Sequence, residues 1–184
     1  MTWKAFHNRG ETLRSVIATA EVRRDGILPT DVAGVAETFA DELDLLSALQ
    51  LKWYTRLSGH IERIQAHQPL ALQDSVAIAW SNAAHELGGV RLILDNYLEN
   101  PVDARMAEAV ATAAAKEHYL LAVMAGRTSL LEDATAHRIG AEIEQRAREL
   151  HRDSPLITPE SLEEEEEPAP RGTLLARLRA VVAA

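Results

Sequence analysis

FADELDLLSALQLKWYTRLSGHI, residues 39–61, is the stretch on which the fold class turns. Phe39, Leu43, Leu46, Leu49, Trp53, Leu57 and Ile61 recur at spacings of three and four, the period of one helix face rather than the alternation of a strand. Leu45 and Leu51 widen that face, as the central helix of a bundle requires. Upstream, Thr30 or Asp31 is placed to cap the segment, with a break near Gly34 into a short turn and a main helix. Downstream, Gln68-Pro69 closes it near His67, because a proline disfavours helix in the residue before it.

The same period recurs on both sides. Leu13, Val16, Ile17 and Ala20 predict a first helix over about Asn8 to Arg24, ended by Asp25-Gly26. Trp3 and Phe6 precede it and extend its stripe. A third helix opens near Gln73-Asp74 with Val76, Ala77, Trp80, Ala83, Ala84 and Leu87. Gly88-Gly89 then predicts a kink or break, since two glycines inside a helix cost about 2 kcal/mol. Asn100 and Pro101 have the residue types of an N-cap and a first helical position for the next helix, which carries the Ala-rich run Ala109 to Ala115 and reaches about Ala125. Thr128 or Ser129, the latter at capping-box spacing from Glu132, starts a last helix to about Arg152 with Leu130, Ala134, Ile139, Ile143 and Ala147 inward. Five helices on short loops predict an all-α, up-and-down antiparallel bundle over residues 1–152.

Composition agrees. The chain has 184 residues, of which 47% are hydrophobic, only 4% aromatic and none Cys. That excludes disulfide frameworks, thiolate metal sites and thiol nucleophiles, and it disfavours sheet folds. A globule of about 150 residues buries roughly 70% of its unfolded surface and needs no metal or cross-link to fold. The N-terminal sequence lacks a signal-peptide apolar run and no 18-residue stretch is free of charge, so a cytoplasmic protein is expected. Arg outnumbers Lys 16 to 3 beside abundant Ala, which suggests a bacterial coding sequence of high GC content.

The net charge of −9 is unevenly spread. Residues 1–152 carry 16 basic and 21 acidic side chains, residues 153–170 carry seven acidic and no basic ones, and residues 171–184 carry Arg171, Arg177 and Arg179 with no acid. An acidic body argues against nucleic acid as a partner, because binding phosphates needs a basic face. Asp153, Glu160, the Glu163–Glu167 run and its flanking prolines predict a disordered acidic linker over 153–170. Beyond it, Leu174, Leu175, Leu178, Val181 and Val182 fall on one helical stripe with Arg177 and Arg179 away from it, a short amphipathic helix that orders only against a surface. This arrangement resembles the C-terminal encapsulation peptides of bacterial compartment cargo, a Pro-rich linker followed by a short Leu/Arg helix. The likeness spans residues 171–184 and implies a body carried as cargo or adaptor.

Catalytic signatures are sparse along the chain. A dinuclear carboxylate site needs Glu-x-x-His on two helices, and no Glu here has His three residues on. Glu117-His118 and His85-Glu86 are neighbours pointing about 100° apart. His7 with Glu11, Asp133 with His137, and His60 with His67 share helix faces at spacings common by chance. The acids Glu37, Asp41, Glu42 and Asp44 fit compensation of a helix dipole, and Trp53 and Trp80 fit packing. No cofactor or metal is therefore expected. The reading is a non-catalytic interaction or cargo protein recruited to a protein partner, or to itself, through Leu174, Leu175, Arg177, Leu178, Arg179, Val181 and Val182; weak membrane-surface contact is a lesser use of the same helix. The alternative is a bundle enzyme or small-ligand or metal binder with an interhelical pocket near Gly88-Gly89.

Overall fold

The computed structural model describes residues 3–67, 71–128, 134–153 and 155–157, with side chains from Asn8 onward. The described residues are all-helical: α1 (Trp3–Arg23), α2 (Val35–Thr38), α3 (Glu42–His67), α4 (Leu72–Glu86), α5 (Gly88–Glu99), α6 (Ala104–Met124) and α7 (Ala134–Asp153). Among the described residues seven helices stand where five were expected, because two of the predicted segments divide. Of the acidic linker expected over 153–170, Asp153 instead ends α7 and 155–157 are described beside the body; residues 158–170 and the whole 171–184 segment lie outside the described residues.

The long apolar stretch builds the centre. Leu45, Leu46, Leu49, Trp53, Leu57, Ile61 and Ile64 of α3 are buried, while Leu51 is 68% exposed and widens no core face. It is two positions from Leu49, about 200° round the helix, on the far side. Residues 30–41 do not extend α3. Asp31 pairs with Arg23 instead of capping, Gly34 takes a left-handed turn at φ 86° before the one-turn α2, and the Asp41 carboxylate accepts from Asp44 N at 2.8 Å to cap α3.

The predicted third helix breaks at Leu87, between α4 and α5, and packing explains the glycines. A Cβ on Gly89 would run into the Ala20 carbonyl of α1, and one on Gly88 would press the Arg24 guanidinium. Glu21 of α1 accepts from Gly89 N at 2.9 Å and so caps α5 from a neighbouring helix. Asn100 does not start α6: its backbone N–H remains on Asn96 O, closing α5. Asp103 caps α6 instead, accepting from Met106 N at 2.8 Å, and Pro101 lies in the connection. Within the alanine run Ala111 is exposed, while the Ala115 carbonyl meets His137 Nδ1 of α7 at 3.1 Å. The two helices also come close at Gly140, where any Cβ would meet the His118 carbonyl. Ala134 faces outward, and the buried stripe of α7 is Ala136, Ile139, Ile143 and Ala147.

The principal neighbours are α6 with α7, α3 with α4, and α4 with α7, while α1 lies on α5. After α7 the chain turns back onto α4. Asn82 brackets Ile157, donating to its carbonyl at 2.6 Å and accepting its N–H at 3.0 Å.

Candidate functional site

Charge enters the interior between α4, α5, α6 and α7. Arg91 is 8% exposed and Glu117 3%. The Trp80 indole donates to Glu117 Oε1 at 2.9 Å, and Arg91 Nη1 donates to Glu117 Oε2 at 3.2 Å. Arg91 Nη2 also reaches Asp95 Oδ1 at 2.6 Å, one helical turn on. From α7, Arg148 donates to both Asp95 oxygens at 2.7 and 2.9 Å and to Glu144 Oε1 at 2.6 Å. His118 meets Glu144 Oε2 at 2.7 Å. An ionised carboxylate only accepts, so His118 Nε2 carries the proton of that bond.

The tryptophans form the floor of this network. Trp53 and Trp80 meet edge to face with ring centroids 5.5 Å apart. The Arg91 guanidinium lies 5.0 Å from the Trp53 ring, and that of Arg148 lies 4.9 Å from Trp80. The rings are thus both packing and a platform for cations.

Burial opposes the charge on Glu144, but the His118 hydrogen bond and the Arg148 and Arg91 guanidiniums outweigh it and hold the carboxyl at about 2 instead of 4.5. Asp95 is pulled down in the same way, against burial, by Arg148 and Arg91. The acids on Arg91 and Arg148 raise both guanidiniums despite their burial. A general acid or base works best with a pKa near the working pH. These groups are driven away from neutrality, so the arrangement is an ionic clamp joining α5, α6 and α7.

Beside the clamp a cleft of about 550 Å³ opens to solvent, lined by Arg24, Trp80, Gly88, Asp95, Arg148 and His151 among others. A second hollow of about 400 Å³, between α1 and α3, is walled by Leu13, Ala48 and the exposed Leu51, with the Arg9–Asp44 ion pair at one side. The acids near the start of α3 serve as ties: Asp44 holds Arg9 of α1 at 2.7 Å, and Asp41 holds Arg105 of α6 at 2.9 Å.

The residues singled out from sequence fare differently. His60 is buried on Glu86 at 3.1 Å, whereas His67 bonds Arg63 O on the surface, so the two do not converge. The His7 side chain and Asp133 lie outside the described parts, as do Leu174, Leu175, Arg177, Leu178, Arg179, Val181 and Val182. Among the described residues no group of three His, Asp or Glu is placed to hold a metal ion, and no helix is long and apolar enough to cross a membrane. The clamp was missed from sequence, although a signal existed: Arg91 falls in phase with Leu87 and Leu94, and Glu117 with Val110, Ala114 and Leu121. A charge in the apolar phase of a helix needs a buried partner. The chain matches no protein-family model, no curated protein and no solved structure.

Proposed function

We propose that this protein is a non-catalytic helical adaptor or cargo protein, its bundle a stable body and its C-terminal amphipathic segment the element that recruits a protein partner. The observation that carries this reading is the Asn82 bracket on Ile157. It seats Ile157, the last described residue, on the body, so a segment carrying Leu174, Leu175, Leu178, Val181 and Val182 would be tethered from that origin. Tethering raises the effective concentration of a weak docking helix near whatever the body accompanies. An up-and-down arrangement of the helices, with the tail as a separate module, completes the proposal. The clamp supports it, because its charges are matched to one another within the body. Arg177 and Arg179 flank the apolar stripe and suit a groove with an acidic rim.

The test is partner recovery by the full chain, by Leu174→Asp with Leu178→Asp, and by residues 1–157. The proposal expects recovery to fall at least about tenfold in both altered forms, the energy of one or two buried leucines. The double variant should keep its melting temperature. Equal recovery by all three would remove the docking role.

A second reading is favoured by one observation. Gly88, where an interhelical pocket was anticipated, does line the cleft with Trp80 and Arg148. Under that reading the body binds a small molecule there. Native mass spectrometry, elemental analysis and absorbance of the purified full chain discriminate: a stoichiometric bound species supports the cleft as the functional site.

A further inference from the structure

Around the C-terminal ends of α4 and α7 the surface is basic, although the chain as a whole carries −9. The His85 and His151 rings meet there with centroids 4.2 Å apart, tilted by 55°. On one side lies the 550 Å³ cleft with Arg24, Arg148, His151 and Arg152. On the other lies a hollow of about 270 Å³ with His60, Arg63, His85, Leu156 and Ile157. Among the described residues Arg63 and Arg152 form no ion pair, and Arg24 reaches only Glu21, at 3.4 Å.

His151 and His60 are both held below their ordinary value, by burial first and by neighbouring cations second. Burial holds His151 below its ordinary value, and His85, Arg24 and Arg148 push the same way. Burial does likewise for His60, against its Glu86 contact, with Arg63 and Arg56 adding to the effect. Acids do face this region: Glu86 lies between Arg56 and His60, and Glu149 lines the cleft. They leave Arg63 and Arg152 unanswered.

The chain itself supplies the missing charge. Ile157 is seated in this surface by Asn82, and six residues later begins Glu163–Glu167, five consecutive carboxylates. At about 3.3 Å per residue the run lies ~20–33 Å along the chain from Ile157, while hollows of these volumes are each only ~8–10 Å across. We propose that the Glu163–Glu167 run seats across the basic surface to which Arg24 and Arg152 contribute at one hollow and Arg63 at the other, holding the spacer against the body in cis. The contact is multivalent and local, so it forms without any one ion pair being strong. Its consequence rests on the tail-docking reading, since a seated spacer shortens the reach of residues 171–184. The contact itself is testable whatever that segment binds.

The absence of native Cys permits a clean experiment on the full chain. Ala66→Cys, exposed on α3 near Arg63, and Thr173→Cys carry a fluorescence donor and acceptor. Energy transfer is read between about 20 mM and 500 mM salt, where the screening length shrinks several-fold. Seating predicts that transfer falls about two-fold with salt. It also predicts that transfer is already low in a variant with Glu163 to Glu167 all changed to Gln, and in Arg24→Ser/Arg63→Ser/Arg152→Ser. An unattached spacer gives the opposite sign, because salt or neutralisation relaxes the repulsion among its own carboxylates and draws the labels together. Transfer that rises with salt, or that is unchanged in both variants, overturns the proposal. Transfer between singly labelled chains mixed in solution also overturns it, by placing the run on a second copy. Loss of partner recovery on Leu174→Asp with transfer intact separates the two claims.

Discussion

The α3–α4 half of the body is held by apolar packing, and the α5–α7 half adds a network of paired charges to apolar packing of its own. In the first, Leu45, Leu49, Leu57, Ile61, Val76 and Ala83 pack with essentially no exposure, and the stabilisation is the removal of apolar surface from water. In the second, Ile93, Leu121 and Ile143 are buried as well, but Arg91 and Glu117 pair inside beside them, and Asp95, Glu144 and the 39% exposed Arg148 extend the pairing toward the surface. Burying an ion pair is near neutral as a source of stability, but breaking one is expensive, since an uncompensated charge is left in the interior. The apolar half therefore tolerates graded change. Breaking a buried charge pair in the other half is a single large step, and that stringency helps set how α5, α6 and α7 sit on one another.

The largest effect follows from that contrast. Arg91→Ala strands Glu117 beneath Trp80, and denaturant unfolding should show a loss of about 3–5 kcal/mol. Arg91→Met combined with Glu117→Leu should recover most of it. If the double variant is as unstable as the single one, the ionic account of this half is wrong. In the apolar half, Leu57→Ala should cost about 2–5 kcal/mol, for lost burial and the cavity left behind. That loss should be the same in high and low salt.

Gly140→Ala is next, at about 1–3 kcal/mol, because α6 and α7 must separate to admit the methyl group. Calorimetry of that variant at neutral pH checks it. Acidification then separates the halves without a mutation. The folded-state pKa of Glu144 lies near 2, below its ordinary 4.5, so its contribution is fully present above pH ~4.5 and is lost as pH falls toward ~2. Asp95 shifts in the same direction. Hydrogen exchange across that window should show α5 and α7 opening before α3. Simultaneous opening would contradict the division. The smallest effect is Asn82→Ala, about 1–2 kcal/mol for two local hydrogen bonds, seen as faster exchange at Ile157 with the helices unchanged.

Much of the fold was legible because hydrophobic period is a local signal. Leu43 to Ile61 announced α3, and Gly88-Gly89 announced the α4–α5 break. Errors came where tertiary partners decided. Asp31 went to Arg23 rather than to a cap, Asp103 displaced Asn100 as the cap of α6, and Leu51 turned outward. The clamp was least legible. Arg91–Asp95 and Glu144–Arg148 are one turn apart and look like surface pairs. Glu117 and Trp80 lie 26 and 11 positions from Arg91 in sequence; helical phase marks Arg91 and Glu117 as buried charges, but no local pattern encodes that they meet. The bracket of Asn82 on Ile157 spans 75 positions and was equally invisible.

Transplantation tests the whole account most directly. Residues 158–184 and residues 1–157 are each fused to the same unrelated carrier, and partner capture is compared with that of the full chain. Capture should follow residues 158–184 and vanish when Leu174 and Leu178 become aspartate. Capture by residues 1–157 alone would place recognition on the body and contradict the account.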